Sequence, residues 1–280
     1  MIGYRMSAPI CGVIVVLSLA GRAADKDDAA QALKFSAQAE QEAERRRTEI
    51  EREIARLGAE HAWAGNYYYG DGLGVNVRLG VSPENGFVFL WRGCLGVYDR
   101  NYGGVKNEDG VLRLALELPN KREGFQGIAE RFRPVRWGQR VYLIPTDEML
   151  PFCNAINSRE EPRKAAHGRF LLREKDWEQP ADGRPGIPPE FKPYLLNKAL
   201  SAEITATGEQ KKWKGSADIR FVETEVTLNV GTADGVLPGM EFHLIEPDEV
   251  ESAIVETVQE KSCAARIRQI DPKKKQLPAA

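Results

Sequence analysis

Histidine and cysteine are scarce in this 280-residue chain, with three of the former and four of the latter. His61, His167 and His243 stand singly, and Cys94, Cys153 and Cys263 lack the short paired spacings of tetrahedral zinc sites, so no metal centre is expected. No G-x-S-x-G elbow is present, and no histidine adjoins a nucleophile in the sequence. No stretch reaches the about 20 apolar residues that a spanning helix needs. A net charge of −2 gives no electrostatic reason to expect nucleic acid as a partner. These absences argue against an enzyme and against a cofactor, and leave a hydrolase with an unrecognised site as the weakest reading.

The N-terminus has a definite pattern. Arg5 precedes the apolar run "APICGVIVVLSLAG", and the small residues Gly21 and Ala23 come before the acidic "DKDD". A charged start, a short apolar run and a small-x-small site describe a secretory signal peptide over residues 1–23, cleaved near Ala23. The chain is therefore expected to be exported, periplasmic or secreted, with an uncleaved anchor as the alternative. Cys11 follows Ile10 rather than a small residue, so lipidation is not expected. In an oxidising compartment Cys94 and Cys153 are the pair expected to form a disulfide, with three buried reduced thiols as the alternative.

Residues 25–57 contain no Gly or Pro and are rich in Ala, Glu, Gln, Lys and Arg, and Gly58 follows as a stop. The pattern predicts a charged spacer helix within residues 25–60. A heptad seam through Ala43, Ile50 and Leu57 is interrupted by Glu40 and Arg47, which weakens a coiled coil and leaves self-association through 25–60 as a second reading.

Beyond Gly58 the period becomes two. Val75, Val77, Leu79 and Val81 alternate with Asn76, Arg78 and Gly80. "SPENG" then turns the chain into a strand with Phe87, Phe89 and Trp91 on one face. Leu112, Leu114, Leu116 and Leu118 repeat the alternation, and a further hairpin is centred on Trp137-Gly138. One short helix is predicted over residues 147–156 with Thr146 as its N-cap. Short strands with Gly and Asn/Asp turns predict an antiparallel β-barrel or sandwich over residues 63–178. Five prolines in "QPADGRPGIPPEFKP" mark a connector over 179–198. Strand patterning resumes over 199–271, and 272–280 reads as a disordered tail. The fold class expected is mainly β: a long N-terminal helix, a barrel or sandwich with one short helix, and a small C-terminal β-barrel.

Aromatic residues crowd the segment 63–102: Trp63, Tyr67, Tyr68, Tyr69, Trp91, Tyr98 and Tyr102. Flat rings with polar tips suit a glycan or another small amphipathic ligand, whereas strand alternation makes the same rings core. Within "YDRNYGG", Asp99, Arg100 and Asn101 leave an apolar strand together, a loop able to contact a ligand or a turn held by its own side chains. The candidate ligand residues are thus Tyr67, Tyr69, Trp91, Tyr98, Asp99, Arg100, Asn101 and Tyr102. "GDGLG" (residues 70–74) precedes a strand rather than a helix, so it is read as a hairpin turn and not a phosphate loop.

In "TLNVGTADGVLPGMEFHLIEPDEVESAIVETVQEKSCAARI", Gly231, Gly235, Val236, Gly239 and Met240 form a turn motif, followed by Val255, Val258 and a Ser262-led strand. This segment, about 224–270, resembles the small β-barrel modules of bacterial envelope scaffolds, the MreC-like periplasmic domains and the C-terminal modules of flagellar assembly proteins. The resemblance implies a module for protein–protein contact, with Gly231, Gly235 and Gly239 in structural roles. The function expected is an exported, non-enzymatic scaffold or adaptor whose partners are other envelope proteins. The alternative is a barrel that binds a glycan or small amphipathic ligand at residues 63–102.

Overall fold

The computed structural model describes residues 33–70, 72, 74–122, 125–159, 162, 170–214, 220–245 and 251–270. The leader expected over 1–23 and the tail over 272–280 lie outside these residues. After helix α1 (Ala37–Leu57) come strands β1 (Gly65–Gly70), β2 (Val75–Ser82), β3 (Gly86–Gly93), β4 (Gly96–Glu108) and β5 (Val111–Leu116). A two-stranded ribbon, β6 (Lys121–Arg122) and β7 (Phe125–Gln126), precedes β8 (Arg131–Trp137) and β9 (Arg140–Pro145). Helix α2 (Met149–Asn157) leads to β10 (Leu171–Arg173).

Strands β1, β2, β3, β4, β5, β8, β9 and β10 form a closed antiparallel barrel in which each pairs with the next and β10 returns to β1. About eight strands leave an interior just wide enough for side chains to fill. Tyr67, Leu79, Val81, Phe87, Phe89, Leu112, Phe132, Leu143 and Leu171 fill it. The alternation of the sequence is the alternation of the wall: Leu171 turns in and Leu172 turns out. Gly103 on β4 has φ +154°, and a Cβ there would overlap the Ala115 carbonyl, so this crossing of β4 and β5 requires glycine.

Two layers cover parts of the barrel's outside. Tyr142, Ile144 and Leu172 pack beneath Met149, Phe152 and Cys153 of α2 and beneath Ile187 and Leu195 of the connector. The connector is consequently a strap and not a free linker. Gly186 N–H donates to the Arg136 carbonyl at 2.7 Å, and the Trp137 indole donates to that of Gly183 at 2.8 Å. The short helix is later than expected: Thr146–Glu148 form a 3-10 turn, and α2 starts at Met149 with no side-chain cap. On β3 and β4, Val88 and Tyr102 lie under Ala39, Ala43 and Ile50 of α1. Within the described residues the long N-terminal helix starts at Ala37, where the Ser36 hydroxyl accepts from Ala39 N–H at 3.1 Å. Its apolar stripe makes it part of the barrel's coat, where a charged spacer helix was expected.

The disulfide expected between Cys94 and Cys153 is not formed. Cys94 lies in the exposed β3–β4 turn, whereas Cys153 is fully buried on the barrel-facing side of α2, where burial pushes its thiol up to about 12. Cys263 is also buried and its thiol is raised for the same reason.

The C-terminal region is a five-stranded antiparallel sheet of β11 (Ile204–Lys214), β12 (Arg220–Leu228), β13 (Glu241–His243), β14 (Ser252–Val258) and β15 (Cys263–Ile270). Its order is β11-β12-β15-β14-β13, with β11 and β13 at the edges, so among the described residues the expected small barrel is an open sheet. Val226, Leu228, Met240, Val255, Ala265 and Ile267 bury its inner face. The turn glycines differ in role. Gly235 (φ +83°) and Gly239 (φ +86°) are left-handed, whereas Gly231 is extended and passes too close to the Gln259 and Glu260 carbonyls for a Cβ. Helix α2 joins this sheet to the barrel, since Asn154 Nδ2 donates to the Gly239 carbonyl at 3.1 Å.

At the barrel's closure, Arg173 Nε donates to Asp176 Oδ2 at 2.8 Å, and the same oxygen accepts from Val141 N–H at 3.0 Å. Both side chains are buried. Asp176→Ala strands a buried guanidinium and a backbone donor together, and the expected loss is about 3–5 kcal/mol of stability. Urea denaturation should show it as a lower midpoint with an unchanged slope.

Candidate functional site

The residues singled out in the sequence divide between the barrel's interior and its seam with α1. Tyr67 is fully buried in the interior, its hydroxyl donating to the Trp63 carbonyl at 2.8 Å, and burial raises its phenol well above the ordinary range. Trp91 is buried in the same core and meets the half-buried Tyr98 edge-on, with centroids 5.6 Å apart, while Tyr69 packs at the margin of that core. Asn101 is wholly buried and works as a backbone clamp: its Nδ2 donates to the Leu118 carbonyl at 2.8 Å, and its Oδ1 accepts from Leu118 and Tyr102 N–H.

Asp99, Arg100 and Tyr102 hold the helix. Lys34 Nζ donates to Asp99 Oδ1 at 2.6 Å, with both side chains almost fully buried. Arg100 Nη2 lies 3.9 Å from Glu40 Oε1, and the Arg46 guanidinium sits 4.9 Å above the Tyr102 ring. Burial, seconded by Glu117 and Glu42, raises the Tyr102 phenol. "YDRNYGG" therefore fastens α1 to β4. Sequence reading did not find the partners, Lys34 and Glu53, because each binds a residue far along the chain. Glu53, buried on α1, accepts from Glu84 N–H and Asn85 N–H, both at 2.9 Å, in the turn between β2 and β3.

Next to that seam lies a groove of about 440 Å³ on the outer wall. The outward positions of β1–β3 make one side of it. Asn66, Gly80 and Val88 form one row across the strands, Arg78 and Leu90 the next, and Asn76 and Arg92 the third. Arg47 and Glu51 of α1 face it from one flank, and Glu174, just past β10, from another. The alternation of Asn76, Arg78 and Gly80 with Val77 and Leu79 was the available signal. It marks these residues as outward but not as neighbours of α1. Among the described residues, no group of His, Cys, Asp and Glu could hold a metal, and no helix is long and apolar enough to cross a membrane.

A third feature is the outer face of the C-terminal sheet. Trp213 stacks on Phe221 with centroids 4.5 Å apart, and Arg268 lies over Trp213 at 5.5 Å. Arg266 bridges Glu223 and Glu256 at 2.8 Å each, and Arg268 reaches Glu223 at 3.1 Å. Ile254 and Ile270, on the same face by register, are 50% and 66% exposed, and Trp213 is 42% exposed. Large apolar side chains are thus held open to solvent among fixed charges. Comparison with known proteins finds no matching family model, and no curated protein or solved structure with significant similarity.

The Glu53 clamp sets a pH dependence. Burial raises its carboxyl, but hydrogen bonds from the Glu84 and Asn85 amides and from the Asn85 side chain help to outweigh this and leave it below the ordinary carboxylate range. A lowered folded value contributes stability that is present above the unfolded value of about 4.3 and is lost as pH falls through the folded value. Glu53→Gln should therefore be clearly less stable than the unmodified chain at neutral pH. Denaturation curves recorded at successively lower pH should show that gap narrowing below about 4.3.

Proposed function

We propose that this protein is an exported envelope component that acts as a non-enzymatic scaffold or adaptor, contacting other envelope proteins through the outer face of its C-terminal sheet. The observation that carries this reading is the exposure of Trp213, Ile254 and Ile270 on one rigid, charge-laddered face. Interface cores favour aromatic anchors and Arg, and a sheet face with fixed salt bridges presents them at low ordering cost. The leader-like N-terminus supports export, and the resemblance of segment 224–270 to MreC-like and flagellar assembly modules supports a contact role. The packed interior weighs against a ligand held by Tyr67 and Trp91, because neither ring offers a free face inside the barrel.

The test uses the full chain immobilised in envelope extract, with brief crosslinking, beside the double variant Trp213→Ala/Ile270→Ser. Both positions are solvent-exposed, so the variant should keep its thermal midpoint. Proteins captured by the unmodified chain and lost from the variant would support the contact face. An identical set recovered by both would overturn it.

A further inference from the structure

We propose that the groove on the outer wall, between α1 and strands β1–β3, binds a small polyhydroxylated anion of the sugar-acid or sugar-phosphate class. Its volume of about 440 Å³ falls in the range of small-molecule sites and far exceeds what a bare inorganic anion would fill. Gly80, on an outward position of β2, lines the groove beneath α1. A Cβ there would come within 3.1 Å of Asn66 Oδ1, 3.3 Å of Val88 Cγ1 and 3.5 Å of Ile50 Cγ2, so a side chain would crowd the edge of the groove where α1 meets the wall.

The lining argues for the ligand's chemistry. Arg78 and Arg92 are diagonal neighbours on adjacent strands, about 7–8 Å apart at their bases, a spacing from which two guanidinium forks can converge on one carboxylate or phosphate. Arg78 is not saturated by its own carboxylate: Glu174 lies 3.9 Å away, and the Arg78 side chain is 70% exposed. A charge-assisted contact to a bound anion would be about 2.7–2.9 Å long. Asn66 and Asn76 add amide donors and acceptors, and Glu51 and Glu174 add acceptors suited to hydroxyl donors. Leu90, half-buried beside Val88 at the edge of α1, supplies one small apolar contact. That contact matches a C–H edge of a sugar ring and is too small for an acyl chain. The site is separate from the C-terminal face, and the inference does not rest on the proposed scaffold role.

Titration calorimetry of the full chain at low salt would use four probes: glucuronate, glucose 6-phosphate, glucose and sulfate. The expected result is that glucuronate or glucose 6-phosphate binds at least about tenfold more tightly than glucose and sulfate, and that Arg78→Gln weakens the binding by about tenfold. Whichever of the two anions binds tighter identifies the acidic group. Arg92→Gln, on the adjacent strand, should weaken the binding similarly, and a circular dichroism spectrum unchanged in both variants keeps the loss attributable to the lost guanidinium. Absence of binding by both anionic sugars, equal affinity in Arg78→Gln, or sulfate binding as tightly as the sugars would each overturn the proposal. Trp213→Ala should leave sugar binding unchanged, which keeps this outcome distinct from that of the contact face.

Discussion

Closure of the barrel at its shortest strand is the constraint on which the other features depend. β10 has three residues, and it must pair with β9 on one side and β1 on the other. Without it, β1 and β9 would be open edges and the interior would admit water. So short a strand supplies few ladder bonds, and buried side chains supplement them. Arg173 lies opposite Tyr67 in the register, binds Asp176, and donates to the His61 carbonyl at 3.0 Å, while Asp176 also accepts from β9. One ion pair thus joins the chain before β1, the strand β9 and the strand β10. The backbone nearby is shaped to it: a Cβ at Gly65 would come within 2.7 Å of the Arg173 side chain. A filled interior goes with the closed ring, which leaves the outer surfaces as the places where grooves and exposed side chains lie.

Those surfaces are unequally covered. Helix α2 and the Pro-rich strap seal β8–β10, and α1 seals β3–β4 through Ala39, Ala43 and Ile50. The groove is where the coat stops, between α1 and the outward residues of β1–β3. Its shape depends on how firmly α1 is placed, which the Lys34–Asp99 pair fixes at one end and the Glu53 clamp near the other. A buried pair such as Lys34–Asp99 adds little net stability over an apolar replacement, but breaking it is costly. Its value lies in specifying one docked position for the helix.

The strands were legible in the sequence because alternation is a local property. Val77, Leu79, Phe87, Phe89, Leu112 and Leu114 turn inward as period two requires, and the turns fall at Gly, Asn and Asp. Ring closure was not legible, since β1 and β10 lie more than a hundred residues apart and three residues make a weak pattern. The helix seam was half legible. Ala43 and Ile50 are buried as the apolar stripe suggests, but Glu53 reads locally as a flaw in it. Only the amides of Glu84 and Asn85 explain an acid there. The candidate site failed in a similar way. Aromatics drew attention to residues that became core, whereas Gly80 and the arginines around it look like ordinary outward strand positions until α1 is laid beside them.

Helix α2 gives these separate features a common frame. Phe152 and Cys153 enter the barrel's outer core, Asn154 reaches the Gly239 carbonyl, and Asn157 holds the strap by donating to the Tyr194 carbonyl at 2.8 Å and accepting from Leu196 N–H at 2.9 Å. Tyr194 in turn packs against both the barrel's outer core and the core of the C-terminal sheet. Nine helical residues therefore couple a closed barrel to an open sheet through side-chain bonds to backbone. These bonds need a fixed geometry, so they resist relative rotation more than apolar contact alone would. The barrel and the C-terminal sheet are then held at a set separation.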